Sequence, residues 1–164
     1  MPDYLIRPLL PSDRARVREL ITQRWGSEIV VSHRVVYRPH ELPGFAAWQA
    51  DSILGLVTLR VVGNACEIVT LDSLQPGQGI GTTLLDAAIA FARQANCTRL
   101  WLITTNDNLN ALRFYQKRGL VLVTIHRNAL VRSRQLKPQI PPTGIDGIPL
   151  RDEIELEMML DVDN

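Results

Sequence analysis

Apolar and polar positions along the chain switch between an alternating and a helical period, and the switches mark out the elements. Tyr4-Leu5-Ile6-Arg7-Pro8-Leu9 reads as a short first strand, ended by Pro8 and Pro11. Pro11-Ser12-Asp13 then starts a helix to about Gln23. Ala15, Val17, Leu20, Ile21 and Trp25 fall near its apolar spacing, with Arg14, Arg16 and Arg18 outside. Residues 26 to 43 combine β-prone Ile29-Val30-Val31 and Arg34-Val35-Val36-Tyr37 with Pro39 and Pro43, so a loop with one or two short strands is expected. Its His33, His40, Glu28 and Glu41 either face a substrate or are solvated.

Two strand runs follow, Gly44 to Ala50 and Ser52 to Val62, separated by Asp51 as in a hairpin. After Gly63-Asn64, the run Ala65 to Leu71 is apolar on both faces except for Glu67, the mark of a central strand. Next comes the turn Gln75-Pro76-Gly77-Gln78-Gly79-Ile80-Gly81-Thr82-Thr83, opening a helix with apolar Ile80, Leu84, Leu85, Ala88, Phe91 and Ala92 that runs to about Asn96. Arg99 to Thr104 is a buried strand parallel to the earlier one, which completes a βαβ unit. Asn106-Asp107-Asn108 offers helix caps, and Leu109 to Arg118 is a helix closed by Gly119. Leu120 to His126 is a strand. Residues 127 to 150, rich in proline, glycine and arginine, read as a long loop, and Glu153 to Met158 alternates strictly, with a carboxylate row on one face. No repeat or linker divides residues 1–164, so one domain is expected: an α+β fold with an antiparallel meander, one parallel crossover and a C-terminal hairpin with a long tip.

Composition narrows this little. The 164 residues suffice for a substantial core, and 46% apolar with 21% charged content is ordinary for a folded domain. A net charge of +1 gives no reason to expect nucleic acid or an anionic membrane as partner. The start of the chain has no charged-then-apolar leader and no apolar run suits a membrane span, so a soluble, cytoplasmic protein is expected. Cys66 and Cys97 lack metal-ligand spacing and read as reduced, partly buried thiols; no metal site is expected.

The chemistry lies in the glycine turn. Strand, glycine-rich turn and helix start together form an anion site: glycine lets backbone N–H groups approach a ligand, and the helix dipole adds positive potential. A dinucleotide fingerprint needs G-x-G-x-x-G, but counting from Gly77 or Gly79 puts Thr82 or Leu84 at the last glycine. A nucleoside-triphosphate loop needs a Gly-Lys pair, and the chain has none. Both readings fail on residues.

From Glu67 to Leu120 the chain resembles the GCN5-related N-acetyltransferase superfamily. Gly79 and Gly81 match the two small positions of that family's pyrophosphate loop, [Q/R]-x-x-G-x-[G/A], whose first position falls here on Pro76. A second family block, N-x-x-A-x-x-x-Y-x-x-x-G-[FL], is filled in register by Asn108, Ala111, Tyr115, Gly119 and Leu120. The resemblance implies a mixed central sheet of about seven strands flanked by about four helices, with two central parallel strands splayed apart around acetyl-CoA.

By that resemblance the backbone of Gln78, Gly79, Ile80, Gly81 and Thr82 would bind the pyrophosphate, with the Thr82 and Thr83 hydroxyls either joining in or capping the helix. Leu71 and Ser73 would pair with the pantetheine, Asn108 would hold its amide end, and the Leu71 N–H would polarise the thioester carbonyl. The implied reaction is acetyl transfer to a primary amine of a small molecule or peptide, by direct attack on the thioester. Tyr115 matches the family's acid for the leaving thiolate; as a residue read without the family it is equally a core aromatic. Glu67 is the first candidate base and Asp72 the second, while an ion pair with arginine accounts for Glu67 as well. Arg127, Arg132, Arg134 and Lys137 either hold an anionic group or line a solvated loop, and Glu153, Glu155 and Glu157 either attract a cationic amine or form an exposed strand edge. A homodimer is common in the family. A noncatalytic acyl-CoA sensor of the same fold is the alternative from another class; it would need the turn and Asn108, but neither Tyr115 nor a base.

Overall fold

The computed structural model describes residues 3–161. Its main sheet has seven strands: β1 (Leu5–Pro8), β4 (Gly44–Gln49), β5 (Ser52–Val62), β6 (Ala65–Ser73), β7 (Arg99–Thr105), β9 (Glu153–Met159) and β8 (Val121–His126), named in spatial order and numbered in chain order. A separate hairpin, β2 (Val30–Ser32) with β3 (Val35–Tyr37), completes the strands among the described residues. Among the same residues four α-helices accompany them: α1 (Arg14–Trp25), α2 (Ile80–Gln94), α3 (Leu109–Lys117) and α4 (Ala129–Leu136). All neighbours in the main sheet pair antiparallel except β6 with β7. The α+β meander, crossover and C-terminal hairpin expected from the pattern are all present.

Two apolar layers sandwich the sheet. On one face α2 lays Ile80, Leu84, Leu85, Ala88 and Ala92 against Val57, Leu59, Cys66, Ile68, Leu100, Leu102 and Leu156, all buried. On the other, Val17, Leu20 and Ile21 of α1 pack with Val30, Ala46, Trp48 and Leu56. Burying each such aliphatic side chain contributes roughly 1.5–3 kcal/mol, so the apolar period of α1 and α2 is what anchors them. Both cysteines are free and buried, and burial pushes the Cys66 thiol up to about 12. No helix among the described residues is long and apolar enough to cross a membrane.

Two expectations are corrected. Residues 127–150 are not simply a loop: α4 occupies the first part, and the remainder is stapled down. The Asp107 carboxylate accepts from the Ile145 N–H at 2.8 Å and from the Thr105 hydroxyl. Asn106 donates to the Pro149 carbonyl at 2.9 Å and accepts from the Arg151 and Asp152 N–H groups. Gly144 passes so close that a Cβ there would lie 2.1 Å from the Asp107 carboxylate. The second correction concerns Glu153 to Met159, which is no strand edge: β9 inserts between β7 and β8, and β8 is the outer strand.

Candidate active site

The parallel pairing of β6 with β7 runs from Ala65–Arg99 to Ile68–Leu102 and stops. Beyond it β6 continues along β5 to Ser73, while β7 continues along β9 to Thr105. The two central strands therefore part, and one side of Val69–Ser73 has no strand partner. A shift of register in the β5–β6 pairing falls at the same place, between Thr58 and Leu59, and twists β6 away. The fork opens into a cavity of about 120 Å³ lined by Val69, Leu71, Asp72, Thr104, Asn108 and Tyr115 among others. A wider groove of about 470 Å³, with Ser73, Pro76, Gly81 and Phe114 on its walls, shares Leu71, Asn108, Ala111 and Tyr115 with that cavity.

The glycine turn stands at the outer end of the groove. Gly77 and Gly79 adopt φ of 82° and 73°, a left-handed backbone open to glycine at little cost. The first intrahelical bond of α2 runs from the Thr83 N–H to the Gly79 carbonyl, so the N–H groups of Ile80, Gly81 and Thr82 lie outside the helical ladder. Gly81 is small for a second reason: a Cβ there would stand 3.2 Å from the Phe114 ring of α3. The Tyr4 hydroxyl donates to the Gln78 carbonyl and meets the Thr83 hydroxyl, each at 3.2 Å. Thr83 in turn donates to the Gly79 carbonyl at 2.9 Å, which makes it a helix-end bond. The Thr82 hydroxyl accepts from Arg118 Nε at 2.9 Å and keeps its own proton to donate.

At the inner end, Asn108 caps α3, its Oδ1 accepting from the Ala111 N–H at 3.1 Å. Its amide N–H groups are free to donate to a ligand. One turn after Ala111, Tyr115 is buried, edge-on to Phe114 with ring centroids 5.2 Å apart. Burial, with the charge of Asp72 added, raises the Tyr115 hydroxyl above its ordinary value. It is a phenol that holds its proton at neutral pH.

Two carboxylates occupy the opposite sheet face. Glu67 sits one residue before the fork, opposite Arg60 and Trp101, and is only 4% exposed. Its Oε2 accepts from the Tyr37 hydroxyl at 2.5 Å, and Arg60 donates to that same hydroxyl at 3.2 Å. Its Oε1 is buried with no hydrogen-bond partner among the described residues. Burial raises the Glu67 carboxyl above the usual range, against the pull of Tyr37 and Arg60, and Glu153 and Glu155 push it the same way. Asp72 also stands high through burial; the Trp25 indole donates to it at 3.2 Å and Arg24 lies 3.8 Å away. Asp72 lines the cavity together with Tyr115, whereas Glu67 lies beside the fork under the β2–β3 hairpin.

Most of the remaining charged candidates are engaged in holding the fold. Arg134 donates to the carbonyls of Ile140, Pro141 and Leu150. Lys137 is buried, its ammonium donating to the carbonyls of Trp25 at 2.7 Å and Ile29 at 3.0 Å, and burial lowers its pKa. Arg127 and Arg132 are exposed. Arg99 pairs with Glu155 and Glu157, His126 reaches Glu155 at 3.1 Å, and Glu153 accepts from the His33 N–H at 3.1 Å. His40 is buried beside Glu41, away from the fork, and Glu28 pairs with Arg18 and Arg38.

Residues 12–120 match the Acetyltransferase (GNAT) family. The chain belongs to the GNAT acetyltransferase family. It is 41% identical over 144 residues to the protein YdhI of Bacillus subtilis (strain 168), a match covering 87% of this chain and 90% of that one. Among solved structures it is similar to an IAA acetyltransferase from Bacillus cereus ATCC 14579, with a TM-score of 0.73 at 21% identity over 96% of this chain and 99% of the other. A Bacillus subtilis acetyltransferase in complex with CoA gives a TM-score of 0.70 at 18% identity, covering 98% and 99% of the two chains. At these identities the two structures establish the GNAT fold and nothing finer.

Within that GNAT fold, several residues beside the fork have no local signal in the sequence. Trp25 and Arg24 reach Asp72 from the end of α1, Tyr37 reaches Glu67 from β3, and Arg118 reaches Thr82 from the end of α3. Only the juxtaposition of distant segments creates these contacts. The sequence points to one side of each of these pairs, Asp72, Glu67 and Thr82, and not to the partners.

Proposed function

We propose that this protein transfers an acetyl group from acetyl-CoA to a primary amine of a small molecule or peptide, by direct attack of the amine on the thioester. The observation that carries the reading is the fork. Its one-sided backbone on β6 suits an extended pantetheine added like a strand, and it leads from the unpaired N–H groups of α2 to the buried Tyr115. The CoA complex of the structurally similar Bacillus subtilis acetyltransferase supports the same donor.

The roles follow from the environments. The N–H groups around Gln78, Gly79, Ile80, Gly81 and Thr82 bind the diphosphate, and the backbone of Leu71 and Ser73 pairs with the pantetheine, whose amide end takes a hydrogen bond from Asn108. The amine nitrogen forms a bond to the thioester carbon, whose oxygen the Leu71 N–H stabilises as charge develops there. As the C–S bond breaks, the electron pair leaves on sulfur and Tyr115 gives the thiolate its proton. Glu67, set back beside the fork, takes the proton of the amine through water, and its raised pKa suits it to hold that proton. Asp72 is the second reading for the base, favoured by its place on the cavity wall with Tyr115. A noncatalytic sensor would need neither a buried phenol at the fork nor a carboxylate beside it.

Calorimetric and thermal-shift titrations with acetyl-CoA and with NADH test the donor. Acetyl-CoA at a hundred times its Kd should stabilise the protein by about 2.7 kcal/mol, a rise in Tm of roughly 5–10 °C for a chain of this size. NADH should leave Tm unchanged. Stabilisation by NADH and none by acetyl-CoA would reverse the assignment.

A further inference from the structure

Arg118 stands where two positive charges meet. It is the residue that ends α3, and its guanidinium lies 3.8 Å above the Phe114 ring while one terminal nitrogen donates to the Phe114 carbonyl at 3.0 Å. Its Nε donates to the Thr82 hydroxyl at 2.9 Å, and Thr82 is the third residue of α2. The first turn of α2 already carries the positive end of that helix dipole, with the N–H groups of Ile80, Gly81 and Thr82 outside the helical ladder. The C-terminal end of α3, with the Phe114 carbonyl, holds the guanidinium from its own side, and its other side faces the positive end of α2.

Among the described residues no carboxylate lies within 4.0 Å of Arg118, a condition it shares with Arg60 and Arg134; what sets it apart is its place against the start of α2. Its remaining terminal nitrogen makes no hydrogen bond among the described residues either. Stacking and two hydrogen bonds fix a planar donor in place, which lowers the entropy lost when that donor grips an oxyanion. The turn itself supplies no cation: Gln75, Gln78, Thr82 and Thr83 are its polar side chains, and Pro76 has neither a side-chain donor nor an N–H. Arg24, which lines the groove, lies 3.8 Å from the Asp72 carboxylate.

We propose that Arg118 is a donor-binding residue, its free guanidinium nitrogen contacting the diphosphate of acetyl-CoA at the start of α2, with Phe114 and Thr82 as its supports. This rests on the acetyl-CoA reading above. It also assigns Thr82 a double part: the hydroxyl accepts from Arg118 and gives its own proton to the same diphosphate.

The test compares three donors, acetyl-CoA, its 3′-dephospho form and S-acetylpantetheine, on wild type, Arg118→Gln and Arg118→Lys. For Arg118→Gln, Kd and KM should rise about tenfold for acetyl-CoA and equally for the dephospho form, as expected for one charge-assisted hydrogen bond lost. The KM for S-acetylpantetheine, which has no diphosphate, should stay at the wild-type value, and kcat with saturating acetyl-CoA should be retained. Arg118→Lys should recover part of the affinity, since it keeps the charge without the planar fork. Equal losses on acetyl-CoA and S-acetylpantetheine would overturn the proposal in favour of a structural bond between α2 and α3. A loss confined to the donor carrying the 3′-phosphate would overturn the diphosphate assignment, and unchanged binding of all three would remove Arg118 from the site. Wild type that binds no acetyl-CoA would instead overturn the donor reading itself.

Discussion

Replacing Tyr115 with Phe should lower kcat for acetyl transfer by about 10²-fold or more while Kd for acetyl-CoA stays near the wild-type value. The phenol is buried at the fork, and burial with Asp72 nearby holds its proton firmly. A leaving thiolate of ordinary thiol basicity, about 8.5, otherwise has to depart as an anion into an apolar gap beside Asp72. Removing one hydroxyl leaves the ring in place against Phe114, so packing is kept and only the proposed proton donor is lost. A drop of 10² in kcat corresponds to about 2.7 kcal/mol of transition-state stabilisation. The measurement is release of CoA thiol at saturating acceptor, with acetyl-CoA affinity measured separately. Because the acid acts after binding, a variant that loses affinity and keeps kcat would place Tyr115 in the donor pocket without a chemical role.

The second large effect belongs to Glu67. With an acceptor amine of low pKa, already neutral across the range studied, kcat should rise with pH as Glu67 gives up its proton. That limb lies above the ordinary glutamate value of about 4.3, because burial and the neighbouring Glu153 and Glu155 raise the Glu67 carboxyl. The sign is fixed: below the limb the carboxyl is protonated and cannot accept, above it the base is available. Glu67→Gln should reduce kcat by about 10²-fold and flatten the limb. Asp72→Asn should leave the limb in place. If the limb disappears with Asp72→Asn and survives Glu67→Gln, Asp72 is the base and Glu67 is held by Tyr37 for structure alone.

Much of this is legible in the sequence, for reasons that are local. The glycine turn, the Asn108 cap, the Gly119 stop and the apolar face of α2 are each dictated by residues within a few positions of one another. The same applies to Glu67, whose charge on an otherwise apolar strand is visible by itself. What escaped was non-local or disguised. The turn of the β2–β3 hairpin puts His33 and Arg34 at φ of 48° and 66°, a left-handed pair usually written with Asn or Gly. Glu153, far along the chain, accepts the His33 N–H and the His33 and His126 rings lie 4.5 Å apart, contacts that help fix that turn.

The helix α4 was hidden differently. Its buried residues are Leu130 and Ser133, and Lys137 just past its end is buried as well, so one of these three is apolar and the apolar period vanishes. Lys137 can be inward because the carbonyls of Trp25 and Ile29 receive its ammonium. Likewise, the alternation of β9 gives its faces but not its neighbours. Glu155 and Glu157 read as an open row until Arg99 of β7 and His126 of β8 are found on either side. Glu153, Glu155 and Glu157, read as either attracting an amine or forming an exposed edge, have partners within the fold, and Glu67 and Asp72 are the acidic groups beside the fork.

The fork between β6 and β7 is proposed as the place where an amine takes an acetyl group from acetyl-CoA. That is tested most directly by incubating the wild-type protein with acetyl-CoA and a panel of amines, small molecules and peptides. Free CoA thiol is followed together with the mass of each acceptor. The expected result is thiol release that depends on one class of amine, matched one for one by an acetylated product. Tight binding of acetyl-CoA with no acceptor-dependent thiol and no acetylated amine across the panel would contradict the claim, and the protein would then be a CoA-binding member of its family that does no transfer.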